Sequence, residues 1–248
     1  MSNIGRKYFK PLIPPMIWGI PKYLKSKLLK RHSSKYFGIY LENEKLFLDE
    51  KLEKYLNYSN GFFVELGANN GVEQANSLHF EKFKNWKGVL VEPSPENYLK
   101  CINNRSNNSQ IFCNACVSFD YQDKYVEIAY GDLQSTSSDL ESDILNSKNH
   151  AANGIPSKRP PIFGAIAATL NQILITSNAP QNIDLLSLDV EGAEIEVLKG
   201  LNHTQFRFKY LCIECRNIEK LEKFLSDYGY VLEEKLTQHD YLFKNNLK

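Results

Sequence analysis

Five short apolar runs, at residues 61–66, 87–92, 109–117, 183–188 and 209–214, alternate with stretches of helical period. This alternation is the strongest constraint on the fold. Short apolar runs bounded by turn residues suit strands buried on both faces, and strands separated by helices pair in parallel. Helices are expected over 46–56, 72–84, 95–104, 165–176, 193–200 and 218–228, and one more strand over 124–130. Ser94 followed by Pro95 reads as an N-cap with proline at the first helical position. Residues 230–236 and 241–244 read as a closing hairpin that adds an antiparallel strand. The expected architecture is an α/β fold with a mostly parallel sheet and helices on both faces. Residues 131–161, rich in Ser, Asn, Gly and Pro, lack periodicity and read as an irregular insertion on the substrate side.

The 248 residues include 42% hydrophobic and 24% charged, which excludes collagen, coiled coil and wholesale disorder. The net charge of +1 hides an uneven distribution. Residues 1–41 hold nine Lys/Arg and no Asp or Glu, and the remainder holds 21 basic against 29 acidic residues. That shift divides the chain into a basic arm, 1–41, and an acidic domain, 42–248. Within the arm, Ile20, Leu24 and Leu28 alternate with lysines as in a short amphipathic helix with a cationic face. Three roles remain open for it: packing on the domain, docking on an anionic membrane surface, or gripping an acidic partner. The acidic domain argues against a nucleic-acid groove.

No transmembrane helix is expected. The longest uncharged run, 160–183, carries Asn171, Gln172, Asn178, Gln181 and Asn182. The first apolar stretch, 11–21, is broken by prolines and precedes no small-residue cleavage site, so no secretory signal is expected either. With five cysteines, an odd count, a reducing, cytoplasmic compartment is expected.

In open α/β sheets ligands bind beyond the carboxyl ends of the strands. After the first run comes Glu65-Leu-Gly67-Ala68-Asn69-Asn-Gly71, a glycine turn that opens backbone amides to a ligand. Its spacing is neither the dinucleotide fingerprint nor a P-loop. An acid at 65 suits a cationic ligand group rather than a pyrophosphate. After the second run comes Glu92-Pro93, where a carboxylate is placed to accept both hydroxyls of a ribose.

Three blocks together, VELGANNG (64–71), GVLVEPSPENY (88–98) and LLSLDVEGAEIEVLKG (185–200), resemble the FkbM family of S-adenosylmethionine-dependent methyltransferases. The similarity runs from about Phe62 to Phe243. Glu65 stands where Asp is commoner in the family. The resemblance implies the class I, Rossmann-like methyltransferase fold: a seven-stranded sheet with an antiparallel last strand. It implies that Glu65, Gly67, Ala68, Asn69 and Gly71 surround the methionine part of the cofactor. It also implies that Glu92 and Pro93 lie at the ribose, and Asn114 and Ala115 at the adenine. Two CxxC pairs, Cys113/Cys116 and Cys212/Cys215, would sit on strands four positions and about 19 Å apart in that fold. They cannot share one zinc ion, and buried strand cysteines are expected instead.

The catalytic end falls at Asp189, which also borders the cofactor, and Glu191. With Glu214 at the end of the fifth run, three carboxylates can converge near the acceptor. Either one serves as general base, or Asp189 and Glu214 hold Mg²⁺ or Mn²⁺. The second arrangement is similar to that of catechol-type O-methyltransferases. His150 is a candidate acceptor-side base, Glu194 is expected to be structural, and His203 and His239 are expected at the surface. The favoured function is O-methylation of a sugar hydroxyl on a glycan, glycolipid or glycosylated small molecule. The alternative is N- or C-methylation of a small molecule; amine methylation would be marked by an [ND]-P-P-[YF] motif where this chain reads Leu188-Asp189-Val190-Glu191. A non-catalytic binding module would show an eroded glycine turn, and this turn is intact.

Overall fold

The computed structural model describes residues 35–246, apart from positions 43, 138–139, 141–146 and 156. The arm helix expected near residues 20–29 lies outside the described residues. The folded unit starts at Tyr36, ahead of the charge boundary at 42. Near its start the Phe37 amide donates to the buried Asp49 carboxylate at 2.7 Å.

Strands β1 (Tyr40–Leu41) and β2 (Leu46–Phe47) form a small antiparallel hairpin that runs into α1 (Leu48–Glu53). The helix expected over 46–56 is therefore shorter at both ends. Strand β3 (Phe62–Leu66) leads to α2 (Leu78–Lys84), β4 (Lys87–Val91) to α3 (Pro95–Asn104), and then comes β5 (Ser109–Phe112). Helix α3 starts as expected: the Ser94 side chain accepts from the Asn97 amide and proline occupies the first turn.

Helix α2 begins six residues later than its sequence period suggests, for a local reason. Asn70 Oδ1 accepts from the amides of Val72 and Glu73 at 3.0 and 2.8 Å. The buried Glu65 carboxylate takes the amides of Asn76 and Ser77. Side chains thus satisfy donors that a helix would otherwise use, and the loop wins.

The third run is two strands, not one. After β5 the chain leaves the main sheet at Cys113 and Asn114 and forms β6 (Ala115–Val117) in a second sheet. That sheet also contains β7 (Tyr125–Ala129) and β8 (Thr136–Ser137), with a 3₁₀ turn at Asp132–Gln134 between them. Helix α4 (Ser147–Gly154) gives the region 131–161 more order than its composition suggests.

The largest departure is β9 (Ile162–Thr169), which occupies half of the helix expected over 165–176; only α5 (Leu170–Thr176) is helical. Strand β9 pairs in parallel with β6 and antiparallel with β7, and its alternation puts Ala165 inside and Ile166 outside. Tertiary pairing overrides the helix preference of its alanines. Thr169 then caps α5 by accepting the Gln172 amide at 3.1 Å.

Strand β10 (Asn182–Leu188), α6 (Glu194–Lys199), β11 (Arg207–Glu214), α7 (Ile218–Ser226), β12 (Tyr230–Lys235) and β13 (Asp240–Asn245) complete the chain. The main sheet has seven strands in the order β12-β13-β11-β10-β3-β4-β5. All pairs are parallel except those of β13 with β11 and β12. The expected antiparallel last strand inserts between β11 and β12.

Both sheet faces are buried. Val64, Leu66, Val89, Leu186 and Ile213 pack against apolar residues of α5, α6 and α7 on one face. Phe63, Leu90, Leu185 and Cys212 pack against α1, Phe80 and Trp86 on the other. Two surface expectations fail here. His203 is buried and stacks on Tyr228 at 3.8 Å between ring centroids, and His239 is half-buried. Cys113 is half-buried and lies between strands, whereas Cys101, Cys116, Cys212 and Cys215 are buried. None of the five forms a disulfide among the described residues.

Candidate active site

A cleft opens beyond the carboxyl ends of β3, β4 and β10. Gly67 and Asn69 line it from the first turn, Glu92 and Pro93 from the second, Asn114 and Ala115 from the crossing between sheets, and Asp189 and Glu191 from the fourth. Gly67 has φ of +78°, and a Cβ there would lie 1.8 Å from the Asp189 carbonyl oxygen. Only glycine lets these two turns meet.

Glu65, Ala68 and Gly71 do not line the cleft. Glu65 alternates with Leu66 along β3 and so faces the opposite side of the sheet. Its carboxylate accepts from Asn76, Ser77 and Arg105, and Arg105 also pairs with Glu81 at 2.9 Å. A Cβ on Gly71 would lie 2.8 Å from Cys101 Sγ, so this glycine serves the packing of α3. Glu65 and Gly71 thus shape the turn from behind the cleft wall.

Glu92 accepts from the Asn69 amide at 2.8 Å and the Ser94 amide at 2.9 Å, which ties the first two turns together. Burial raises its pKa from 4.5 to about 7, against the opposing pull of those two amides. Beside it, Asp132 also lines the cleft and its charge pushes in the same direction as burial.

The fourth turn carries the densest chemistry. Asp189, Glu191 and Glu214 offer carboxylate oxygens that lie within 4.8 Å of one another. Burial is the main cause that pushes the Asp189 pKa far up, followed by the charge of Glu214 and a hydrogen bond with it. Asp189 Oδ1 is out of contact with solvent and has no hydrogen-bond partner. Glu191 adopts φ of +54° and meets His150 Nε2 at 2.8 Å and Arg216 Nη2 at 3.4 Å. Burial and Glu214 raise the Glu191 pKa to about 7, while Arg216 opposes them. Burial and Arg216 lower the His150 pKa, against the opposing charge of Glu214. Glu194 Oε1 accepts from the amides of Val190 and Gly192 at 3.3 and 2.9 Å, which makes it a brace for this turn.

Several cleft residues carry no sequence motif: Gln74, Leu133, Ser135 and Ser137. Arg216, two residues beyond Glu214, is a cation at the end of an acidic strand, and that contrast alone could have marked it. Thr136 could not have been marked. Its hydroxyl donates to the Glu191 carbonyl at 3.0 Å across 55 residues of sequence.

The profile of a family described as "Methyltransferase FkbM domain" matches residues 65–232, more than half of the chain. Similar solved structures include the precorrin-6y C5,15-methyltransferase of Geobacter metallireducens GS-15, at 11% identity and a TM-score of 0.42, with 80% of this chain and 86% of that one covered. A methyltransferase of Pyrococcus furiosus is similar at 12% identity and a TM-score of 0.44, with 91% and 96% covered. An S-adenosylmethionine-dependent methyltransferase of Aquifex aeolicus is similar at 9% identity and a TM-score of 0.40, with 79% and 87% covered. No curated protein matches this chain in sequence.

Proposed function

This chain belongs to the FkbM methyltransferase family and is an S-adenosylmethionine-dependent methyltransferase, and from that premise we propose that it methylates a hydroxyl oxygen of a sugar. The observation that carries this reading is the acidic end of the cleft, where Asp189, Glu191 and Glu214 converge beside His150. A hydroxyl must lose its proton as it is alkylated, so it needs a base at the point of attack. An amine acceptor is already nucleophilic once neutral and has no such need.

Bound S-adenosylmethionine supplies an electrophilic methyl group and takes the electron pair of the broken bond onto its sulfur. The chain does the rest. Gly67 lets the cofactor approach the backbone of the first turn, and Glu92 is placed to accept from its ribose hydroxyls. One carboxylate of the pair Asp189 and Glu191 receives the acceptor's single proton, and His150 and Arg216 hold Glu191 in place. The apolar walls at Val91, Ile128 and Leu133 keep water from the reacting atoms.

Asp189 and Glu214 also fit a hard divalent cation, Mg²⁺ or Mn²⁺. Asp189 Oδ1 is buried without a partner, and Glu191 lies within reach as a further oxygen donor. Such a cation would lower the pKa of the acceptor hydroxyl. The acceptor is a small molecule or glycan, not a nucleic acid. Among the described residues no helix is long and apolar enough to cross a membrane. The basic arm favours peripheral contact with the anionic, cytoplasmic face of a membrane, and with it a lipid-linked acceptor.

The test combines calorimetry with label transfer. The wild type is expected to bind S-adenosylmethionine and S-adenosylhomocysteine but not NAD, and to move labelled methyl onto sugar oxygens in the presence or absence of Mn²⁺. Asp189→Ala is expected to keep binding and to lose turnover by at least about 100-fold, the usual worth of a positioned base. Label found on nitrogen, or full turnover by the variant, would overturn the reading.

A further inference from the structure

Of the three carboxylate residues at the acidic end, Glu191 alone adopts the left-handed backbone region, with φ of +54°, and Gly192 follows at +105°. Glycine enters that region freely, whereas a glutamate there brings its Cβ against the backbone. A glutamate that keeps this conformation is held in it by its surroundings, and its carboxylate points where the backbone sends it.

The hold comes from two parts of the chain. From α6, Glu194 Oε1 accepts the amides of Val190 and Gly192 at 3.3 and 2.9 Å, one on each side of Glu191. From β8, the buried Thr136 hydroxyl donates to the Glu191 carbonyl at 3.0 Å. The same hydroxyl lies 3.4 Å from the Ser137 carbonyl, but it has a single proton to donate and the shorter contact is the better one. From α4, His150 meets the Glu191 carboxylate at 2.8 Å. Strand β8 and α4 belong to one packed unit. Thr136 pairs with Ala129 of β7. Helix α4 lies so close on the following turn that a Cβ on Gly154 would sit 1.7 Å from the Gly131 carbonyl oxygen. This unit grips Glu191 twice, by its carbonyl and by its carboxylate.

We propose that Thr136 is a positioning residue: by holding the Glu191 carbonyl, its hydroxyl keeps Glu191 left-handed and the Glu191 carboxylate beside His150, Asp189 and Glu214. Without that donor φ returns to the ordinary right-handed value of about −63°, a turn of roughly 115° that swings the side chain out of the cluster. A reacting group displaced by about 1 Å already loses most of its effect. The proposal rests on the reading of the acidic end as the proton acceptor, given above, and deepens it.

The experiment uses the full chain saturated with S-adenosylhomocysteine at one fixed pH. It reads the His150 imidazole by long-range proton–nitrogen NMR, assigned by its loss in His150→Gln. The wild type is expected to show His150 Nε2 in a hydrogen bond. Thr136→Val keeps the shape of the side chain and removes the donor, and Thr136→Ala removes it without risk of a clash. In both, the His150 signals are expected to move to those of a free imidazole, while S-adenosylhomocysteine affinity stays unchanged. Thr136→Ser is expected to restore the wild-type signals, which a packing role would not, since serine lacks the methyl group. Turnover in the label-transfer assay is expected to fall at least about tenfold in Thr136→Val and to recover in Thr136→Ser. His150 signals that stay the same in Thr136→Val and Thr136→Ala, or that move as far in Thr136→Ser, overturn the role of Thr136 and leave the acidic end as the proton acceptor. Full turnover in Glu191→Gln overturns Glu191 as a proton acceptor, and the positioning role with it, even where the hydrogen bond from Thr136 survives.

Discussion

Glu92 carries its carboxylate out of water with two backbone amides as partners, and burial still outweighs them. Its pKa rises from 4.5 to about 7 on folding, so the folded chain holds a proton that the unfolded chain has released. The stability this contributes is complete below pH 4.5 and is lost as pH rises through 7. One such group gives a slope of up to about 1.4 kcal/mol per pH unit within that window. The cofactor-free protein is therefore expected to melt at a higher temperature at pH 5.5 than at pH 7.5. Glu92→Gln is expected to flatten that slope without abolishing it, because Asp49 and Glu194 are shifted the same way. An unchanged slope in the variant would show that Glu92 is already ionised throughout this range. His203 shows how little one residue reveals of its surroundings. Nothing in its neighbours along the chain announces the Tyr228 ring on which it stacks.

Between β3 and α2, one loop does two jobs from opposite sides of the sheet. Its front, Gly67 and Asn69, lines the cleft. Its back is held by Glu65, which is fixed in turn by Ser77 and by the buried Arg105 that also pairs with Glu81. Removing one partner of a buried ion pair leaves uncompensated charge and typically costs about 3–5 kcal/mol. Arg105→Met is expected to lose that much stability by urea denaturation. Its affinity for S-adenosylhomocysteine, measured where the variant is still folded, is expected to stay within about twofold of wild type. A larger loss of affinity would put Glu65 back in the cofactor wall. The glycine turn is legible in the sequence because its chemistry is local. The hydrogen-bonded loop at 70–77 is not, because its stabilising partner Glu65 comes from the preceding strand and competes with a good helical period.

Across the whole molecule, charge is segregated between residues 1–41 and an acidic domain. A lysine or arginine near an anionic bilayer contributes about 1 kcal/mol, screened within a Debye length. The full chain is expected to co-sediment with vesicles containing phosphatidylglycerol at low salt, to release in 0.5 M salt, and to ignore pure phosphatidylcholine. Recovery in the supernatant with both lipids at low salt would remove the membrane role of the arm.

Sequence alone determined which apolar runs become strands of the main sheet, the start of α3 at Ser94 and Pro95, and the acids at strand ends. Each follows from patterns a few residues long: apolar runs, a cap, a glycine turn. The departures share one physical cause. Ala165–Thr169 is a strand because β6 and β7 lie beside it, and the run 109–117 divides because its second half has a partner in another sheet. Glu65 leaves the cleft through the two-residue alternation of its strand. Asp189, Glu191 and Glu214 become one site only when β10 and β11 align, with Ser187 opposite Cys212 and Leu188 opposite Ile213. His150 and Thr136 reach that site from a region with no periodicity to read. Contacts between residues dozens of positions apart depend on packing free energies that no local pattern encodes, and those contacts decided the acceptor end of this enzyme.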